Sequence, residues 1–164
     1  MKILEKVMIF KKISVDFHGV IYLAPEFFKQ FMQNAIEQGI EVQVVSGGPR
    51  RFIADFLAEN KIPYHKLWCI IDQPEINEKT VFFADGSFRV DDDLWDKAKG
   101  EYCFREHIDL HIDDSDIYEK YFTTPYCRFV AAEGVFIYRN QRIFSNLTPQ
   151  EVLEKLQKLN LIES

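Results

Sequence analysis

Short apolar runs alternate with amphipathic stretches along this chain, and that rhythm restricts its fold more than any other feature. KISVDF (12–17), IEVQVVS (40–46), KLWCII (66–71), IDLHID (108–113) and YCRFVAA (126–132) read as buried strands. Between them, PEFFKQFMQNAIEQG (25–39) carries Phe27, Phe28, Phe31 and Ile36 at helical spacing and ends at Gly39, a residue suited to a helix C-terminus. PRRFIADFLAEN (49–60) reads as a second helix with Pro49 in its first turn. LWDKAKGEYCFREH (94–107) holds a third, with Gly100 blurring its start. KTVFFADGSFRVDD (79–92) predicts a hairpin at Asp85-Gly86, and GVFIYRNQRIF (134–144) another turning at Arg139-Asn140-Gln141. TPQEVLEKLQKL (148–159) predicts a terminal helix capped by Thr148, with Pro149 in its first turn. Strand–helix alternation of this kind gives an α/β domain with a mainly parallel sheet, a Rossmann-like three-layer fold with one small hairpin insertion.

Composition narrows the function classes. The 164 residues are 47% hydrophobic with 15 Phe, too apolar for a disordered chain and long enough for one domain with a proper core. A net charge of -6 argues against coating nucleic acid through charge alone. Cys69, Cys103 and Cys127 are odd in number and widely spaced, which predicts reduced, buried thiols in a cytoplasmic protein. Glu5 and Lys6 interrupt MKILEKVMIF, so it does not read as a signal peptide, and no apolar run reaches the ~18 residues of a membrane span.

In such folds ligands gather beyond the carboxyl ends of the parallel strands. The first strand ends in Asp16, followed by His18 and Gly19; the second ends in Ser46-Gly47-Gly48-Pro49-Arg50; the fourth ends in Asp113-Asp114. Each cluster alone is an ordinary turn, cap or solvated acidic pair. Brought to one edge, they suggest phosphoryl transfer through an aspartyl intermediate. A carboxylate attacks phosphorus, and a magnesium ion held by oxygen ligands offsets the repulsion between two anions. Asp16 and Asp114, with Asp113, would supply carboxylates; Ser46 and the N–H groups of Gly47 and Gly48 would hold phosphate oxygens. Lys97 and Lys99 are the candidates for a neutralising cation, and Arg50 for a further substrate contact.

These motifs, in this order, resemble those of the haloacid dehalogenase (HAD) superfamily of phosphohydrolases. VDFHGVI matches the superfamily's first motif, which implies that Asp16 is the nucleophile and that the backbone carbonyl of His18 binds magnesium. VVSGG matches the second motif at Ser46, KGEYCFREH the third at Lys99 with Lys97 in reserve, and LHIDDS the fourth at Asp113 and Asp114. Side chains two apart on a helix diverge, so one lysine serves rather than both. The resemblance covers residues 13 to about 132 and implies a Mg2+-dependent phosphatase acting on a phosphorylated small molecule or macromolecular end. No G-x-G-x-x-G follows the first strand, which removes dinucleotide binding, and the acidic pair comes too late for a response-regulator receiver.

His18 departs from the superfamily pattern, which has an acid–base Asp at that position. An imidazole titrates near working pH and can stand in. Three outcomes stay open: a phosphatase using His18, a slow enzyme whose intermediate persists, and a phosphate- or metal-binding module without turnover. His65, His107 and His111 read as structural or surface residues, and Asp91-Asp92-Asp93 as a hairpin exit and helix start. GVIYLAPE leaves no room for a lid after the first motif, and the second lid position holds only the Asp85-Gly86 hairpin. Residues 1–164 therefore read as one domain, capless or nearly so, open to a large substrate or to a second copy of the chain. Val81, Phe82, Phe83 and Phe88 of the hairpin are expected to pack on the core, with an oligomer contact as the alternative.

Overall fold

The computed structural model describes residues 10–144 and 146–162. The sequence reading of MKILEKVMIF therefore falls, except for Phe10, outside the described residues. The order of elements is β1 (Lys12–Val15), α1 (Pro25–Glu37), β2 (Glu41–Ser46), α2 (Arg50–Glu59), β3 (Lys66–Cys69), α3 (Pro74–Asn77), β4 (Val81–Phe82), β5 (Phe88–Arg89), α4 (Asp92–Arg105), β6 (Leu110–Asp113), β7 (Tyr126–Val130), β8 (Val135–Tyr138), β9 (Gln141–Phe144) and α5 (Pro149–Ile162).

Seven strands form one sheet in the order β3-β2-β1-β6-β7-β8-β9. The first five are parallel, and β8 and β9 are added by antiparallel pairings, so the fold is α/β with a mostly parallel central sheet flanked by helices. From β1 the chain steps outward through β2 to β3, then returns across α4 to place β6 on the other side of β1. The order thus reverses between β1 and β6, and the loops leaving these two strands diverge to leave a crevice.

Strand alternation divides the core between the two faces. Val44, Leu67 and Cys69 pack with Phe28, Phe31 and Met32 of α1, Ile53 and Leu57 of α2, and Val152, Leu153 and Leu156 of α5. Val45, Trp68 and Ile70 point the other way, onto Ile76 of α3 and Ala98, Tyr102 and Cys103 of α4. Each fully buried Phe, Leu or Ile contributes roughly 1.5–3 kcal/mol from removal of its surface from water, so both faces are needed. No helix among the described residues is long and apolar enough to cross a membrane. Cys69, Cys103 and Cys127 are free and buried.

Several local expectations shift. The third strand stops at Cys69 and Ile70–Asp72 form a 3₁₀ turn closed by the Gln73 N–H on the Ile70 carbonyl at 3.1 Å, while the Ile71 N–H still reaches the Gly47 carbonyl at 3.2 Å, one rung beyond the paired strands. Helix α2 begins at Arg50, with Pro49 flanking it rather than inside its first turn. Gly100 does not interrupt α4. It lies where the helix passes against the backbone of Tyr121, and a Cβ there would collide with that carbonyl. The second hairpin turns on two residues, Arg139 and Asn140, both with positive φ, so Tyr138 pairs directly with Gln141. Thr148 and Glu151 exchange backbone–side-chain hydrogen bonds in both directions at the start of α5, a capping box.

The β4–β5 hairpin overturns the packing expectation for three of its four apolar residues. Val81, Phe82 and Phe83 are about half exposed, and only Phe88 turns inward, onto Trp95. Two-residue strands are too short to lay a whole apolar face against the sheet.

Candidate functional site

The crevice at the ends of β1 and β6 is lined by residues from five segments. Asp16, His18 and Gly19 follow β1; Ser46, Gly47 and Gly48 end β2; Phe88 comes from β5, Trp95 and Lys99 from α4, and Asp114, Ser115, Asp116 and Tyr118 from the loop after β6. Together they enclose about 500 Å³.

Lys99 is the centre. Its ammonium, buried in the floor, lies 3.0 Å from Asp16 Oδ1 and 2.9 Å from Asp113 Oδ2. Burial alone would lower the lysine, but Asp113 and Asp16 outweigh it and hold the ammonium charged well above the usual range. Lys97, two residues away, does not line the crevice.

Asp16 keeps one oxygen engaged and one free. Oδ1 accepts from the Phe17 N–H at 2.8 Å as well as from Lys99, while Oδ2 accepts no hydrogen bond from the described residues. Burial pushes the Asp16 carboxyl well above the ordinary range; Lys99 opposes this, and repulsion from Asp113 and Asp114 reinforces it. Asp113 differs. Its Oδ2 takes both Lys99 and His111 Nε2 (2.8 Å), and its Oδ1 takes the Ser115 N–H at 3.2 Å. Burial would raise it too, but Lys99 and the His111 hydrogen bond hold it well below the usual carboxylate range.

Behind Asp113 runs a buried polar chain. Burial lowers His111 while Asp113 opposes the shift; Nε2–H donates to the Asp113 carboxylate, and in the neutral ring Nδ1 accepts the Ser14 hydroxyl at 2.6 Å. The Ser14 oxygen lies 3.5 Å from Cys103 Sγ, and the His111 ring stacks on Phe122 with centroids 4.8 Å apart.

Asp114, exposed, is the acid of the pair that faces the crevice. Its carboxylate lies against Gly19, where any Cβ would clash with it. Burial raises it, followed by repulsion from Asp113. One carboxylate oxygen from each of Asp16, Asp113 and Asp114 falls within 4.8 Å of the others. Three hard oxygens at that spacing, with burial and mutual repulsion both opposing the charge on Asp16 and Asp114, suit a divalent cation that favours oxygen ligands.

The chain matches no protein-family model, no curated protein and no solved structure. What the site can do is therefore argued from its own chemistry. The Ser46 hydroxyl is buried without a hydrogen-bond partner among the described residues, an uncommon state for a polar group and one that a ligand oxygen would relieve. Gly47 is held free of a side chain by Trp95, whose indole edge occupies the space a Cβ would need. His18 lies at the exposed rim. Its Nε2 is 3.1 Å from the Gly48 carbonyl, which can only accept, so Nε2 carries the hydrogen and Nδ1 the lone pair of the neutral ring. The imidazole also stacks parallel to Phe52 with centroids 6.3 Å apart.

Arg50 does not join this group. Its guanidinium donates to Asp72 at 2.7 Å and to the Leu67 carbonyl at 2.6 Å, which turns it toward β3 and away from the crevice. Asp91 of the acidic run caps α4, accepting from the N–H groups of Asp93 and Leu94.

Sequence reasoning passed over Ser14, Trp95 and Tyr118, and read His111 as structural. Trp95, Lys99 and Cys103 recur every fourth residue on one face of α4, a spacing that would have joined the lysine to the buried side of its helix.

Proposed function

We propose that this protein is a magnesium-dependent phosphohydrolase of the HAD type, with Asp16 as nucleophile. The observation that carries the reading is Lys99 bridging Asp16 and Asp113 at 3.0 and 2.9 Å beside the unpartnered Ser46 hydroxyl. A buried ammonium and an unsatisfied hydroxyl that line the same crevice as the Asp16 carboxylate offer donors to the oxygens of a phosphoryl group. Asp16 Oδ1 is anchored by the Phe17 N–H, so Oδ2 is the oxygen that would attack phosphorus. Lys99, Ser46 and the backbone of Gly47 and Gly48 would hold the phosphoryl oxygens as charge builds on them.

Asp16, Asp113 and Asp114, with the His18 carbonyl, would hold the magnesium ion, which supplies charge neutralisation at the phosphoryl group. His18 would act through Nδ1, the ring nitrogen not committed to Gly48: entering with both nitrogens protonated it would give the Nδ1 proton to the leaving group, and the lone pair left there would take a proton from the attacking water. That commitment favours one second reading. An imidazole tied to Gly48 and stacked on Phe52 is restrained from reaching a leaving group, which would leave a site that binds phosphate with little turnover.

The test is phosphate release from phenyl phosphate, with and without magnesium, by the native chain and by Asp16→Asn. Magnesium-dependent release that disappears in Asp16→Asn is the expected result. Equal release from both proteins removes Asp16 as nucleophile. Silence in both, followed by activity in His18→Asp, selects the binding reading.

A further inference from the structure

One wall of the crevice is aromatic, and it begins directly beside the turn that would hold phosphate. Trp95 lies edge-on against Gly47, and its Nε1–H donates to the Tyr118 hydroxyl at 3.0 Å. The Phe88 ring supports it from the hairpin with centroids 5.6 Å apart, and the Lys99 ammonium sits 5.2 Å from the centre of the Tyr118 ring. The indole is thus fixed by three neighbours before any ligand arrives, so a ring stacking on it would immobilise little that is not already immobile.

Volume and charge narrow the occupant further. A space of about 500 Å³ is that of a small-molecule site, and a bare phosphate or a short alkyl ester would leave most of it unfilled. Lys99 is the one cation among the lining residues, and Asp16 and Asp113 already share it. Asp114 and Asp116 add negative charge, while Arg50 is held by Asp72. A second phosphate or a carboxylate on the leaving group would meet repulsion from Asp114 and Asp116, with no lining cation beyond Lys99 and the proposed magnesium ion to offset it. The exposed Asp116 can instead accept hydrogen bonds from hydroxyl or amino groups.

Resting on the phosphohydrolase reading, we propose that the substrate is a monophosphate ester whose leaving group is uncharged and carries a flat aromatic ring, as in a nucleoside monophosphate. Trp95 is the stacking surface and the specificity-determining residue. The β4–β5 hairpin acts here through Phe88, as the buttress that holds Trp95 over the phosphate turn.

The experiment compares kcat/KM, with magnesium present, for adenosine 5′-monophosphate, adenosine 5′-diphosphate and ribose 5-phosphate. The native chain should prefer the monophosphate over ribose 5-phosphate by ~5- to ~150-fold, the range that one base–aromatic stack contributes, and should handle the diphosphate poorly. Trp95→Leu should move the monophosphate-to-ribose-phosphate ratio toward one, and Tyr118→Phe, a milder change that removes only the acceptor of the indole N–H, should move it part of the way. Equal rates on the monophosphate and ribose 5-phosphate, a preference for the diphosphate, or a ratio unchanged in both variants would overturn the inference while leaving the phosphohydrolase reading intact. If no ester is turned over, phenyl phosphate included, it is the phosphohydrolase reading that fails. Calorimetric titration of the native chain then decides the cavity: binding of the adenosine monophosphate at least ~5-fold tighter than ribose 5-phosphate keeps the assignment, and equal or absent binding removes it.

Discussion

The ends of β1 and β6 lie side by side in the sheet and offer carboxylates to the same ammonium, yet the two acids are in opposite circumstances. Asp113 is wrapped: Lys99, His111 and the Ser115 N–H account for both its oxygens, and it ionises more readily than a free carboxylate. Asp16 is left short, with one oxygen unpaired and its ionised form opposed by burial and by two neighbouring acids. A carboxylate satisfied on every side holds a lysine in place. One that is under-satisfied gains from meeting a cation or an electrophile. The same residue type at equivalent strand ends is thereby divided into a satisfied acid and an under-satisfied one, and the second is the circumstance in which reactive carboxylates are found.

Removing the ion that joins the two ends should have the largest effect. Lys99→Met leaves buried carboxylates without their cation, and is expected to abolish turnover and cost about 3–5 kcal/mol of stability by urea unfolding. A stable Lys99→Met protein would mean that the two ends do not depend on their shared charge.

The comparison itself is tested by the two asparagine variants. Asp113→Asn should destabilise the fold by about 2–3 kcal/mol, because Lys99 and His111 both lose a charged acceptor. Asp16→Asn should abolish turnover yet be at least as stable as the native chain, the usual relation between a reactive group and its fold. Equal destabilisation by both variants would erase the distinction.

Acidity separates them again. Asp113, depressed in the fold, contributes stability that is present above the unfolded carboxylate value of ~3.9 and is lost as pH falls through its folded value. Asp16, raised in the fold, works the other way: its contribution is present below that unfolded value and is lost as pH rises through its folded value. The stability margin of Asp16→Asn over the native chain should therefore narrow as pH falls from 7 toward 4, as read from urea midpoints across that range. A margin that widens on acidification would reverse the assignment.

Smaller effects lie behind Asp113. Ser14→Ala leaves His111 Nδ1 unpaired in the core and should cost about 1–2 kcal/mol, whereas Ser14→Thr keeps the hydroxyl and should recover part of it. Arg50→Ala is expected to be the mildest change, below ~1 kcal/mol because its ion pair with Asp72 is half-exposed, and without effect on turnover. Loss of turnover in Arg50→Ala would return that guanidinium to the site.

Much of this molecule was legible in its sequence. Apolar periodicity gave the strand and helix order, because a period of two or of 3.6 decides which residues one element can bury. Asp16, Ser46 and Asp114 could be picked out as strand-end residues before any coordinates, since parallel strands bring their carboxyl ends to one edge. Pairing across the chain could not be read in that way. Ser14 and His111 are 97 residues apart and meet only because β1 and β6 are neighbours in register. Arg50 looked like a substrate contact from its place after the turn, but Asp72, reached through β3, gives it a closer partner. The motif resemblance preferred Lys99 to Lys97, and it is Lys99 that α4 turns into the crevice, whereas the packing of the hairpin aromatics depended on a strand length that periodicity does not specify. Local pattern determines what each element can bury; only the assembled sheet decides which distant group supplies the partner, because burial makes an unpaired charge too costly to leave wherever sequence order happens to put it.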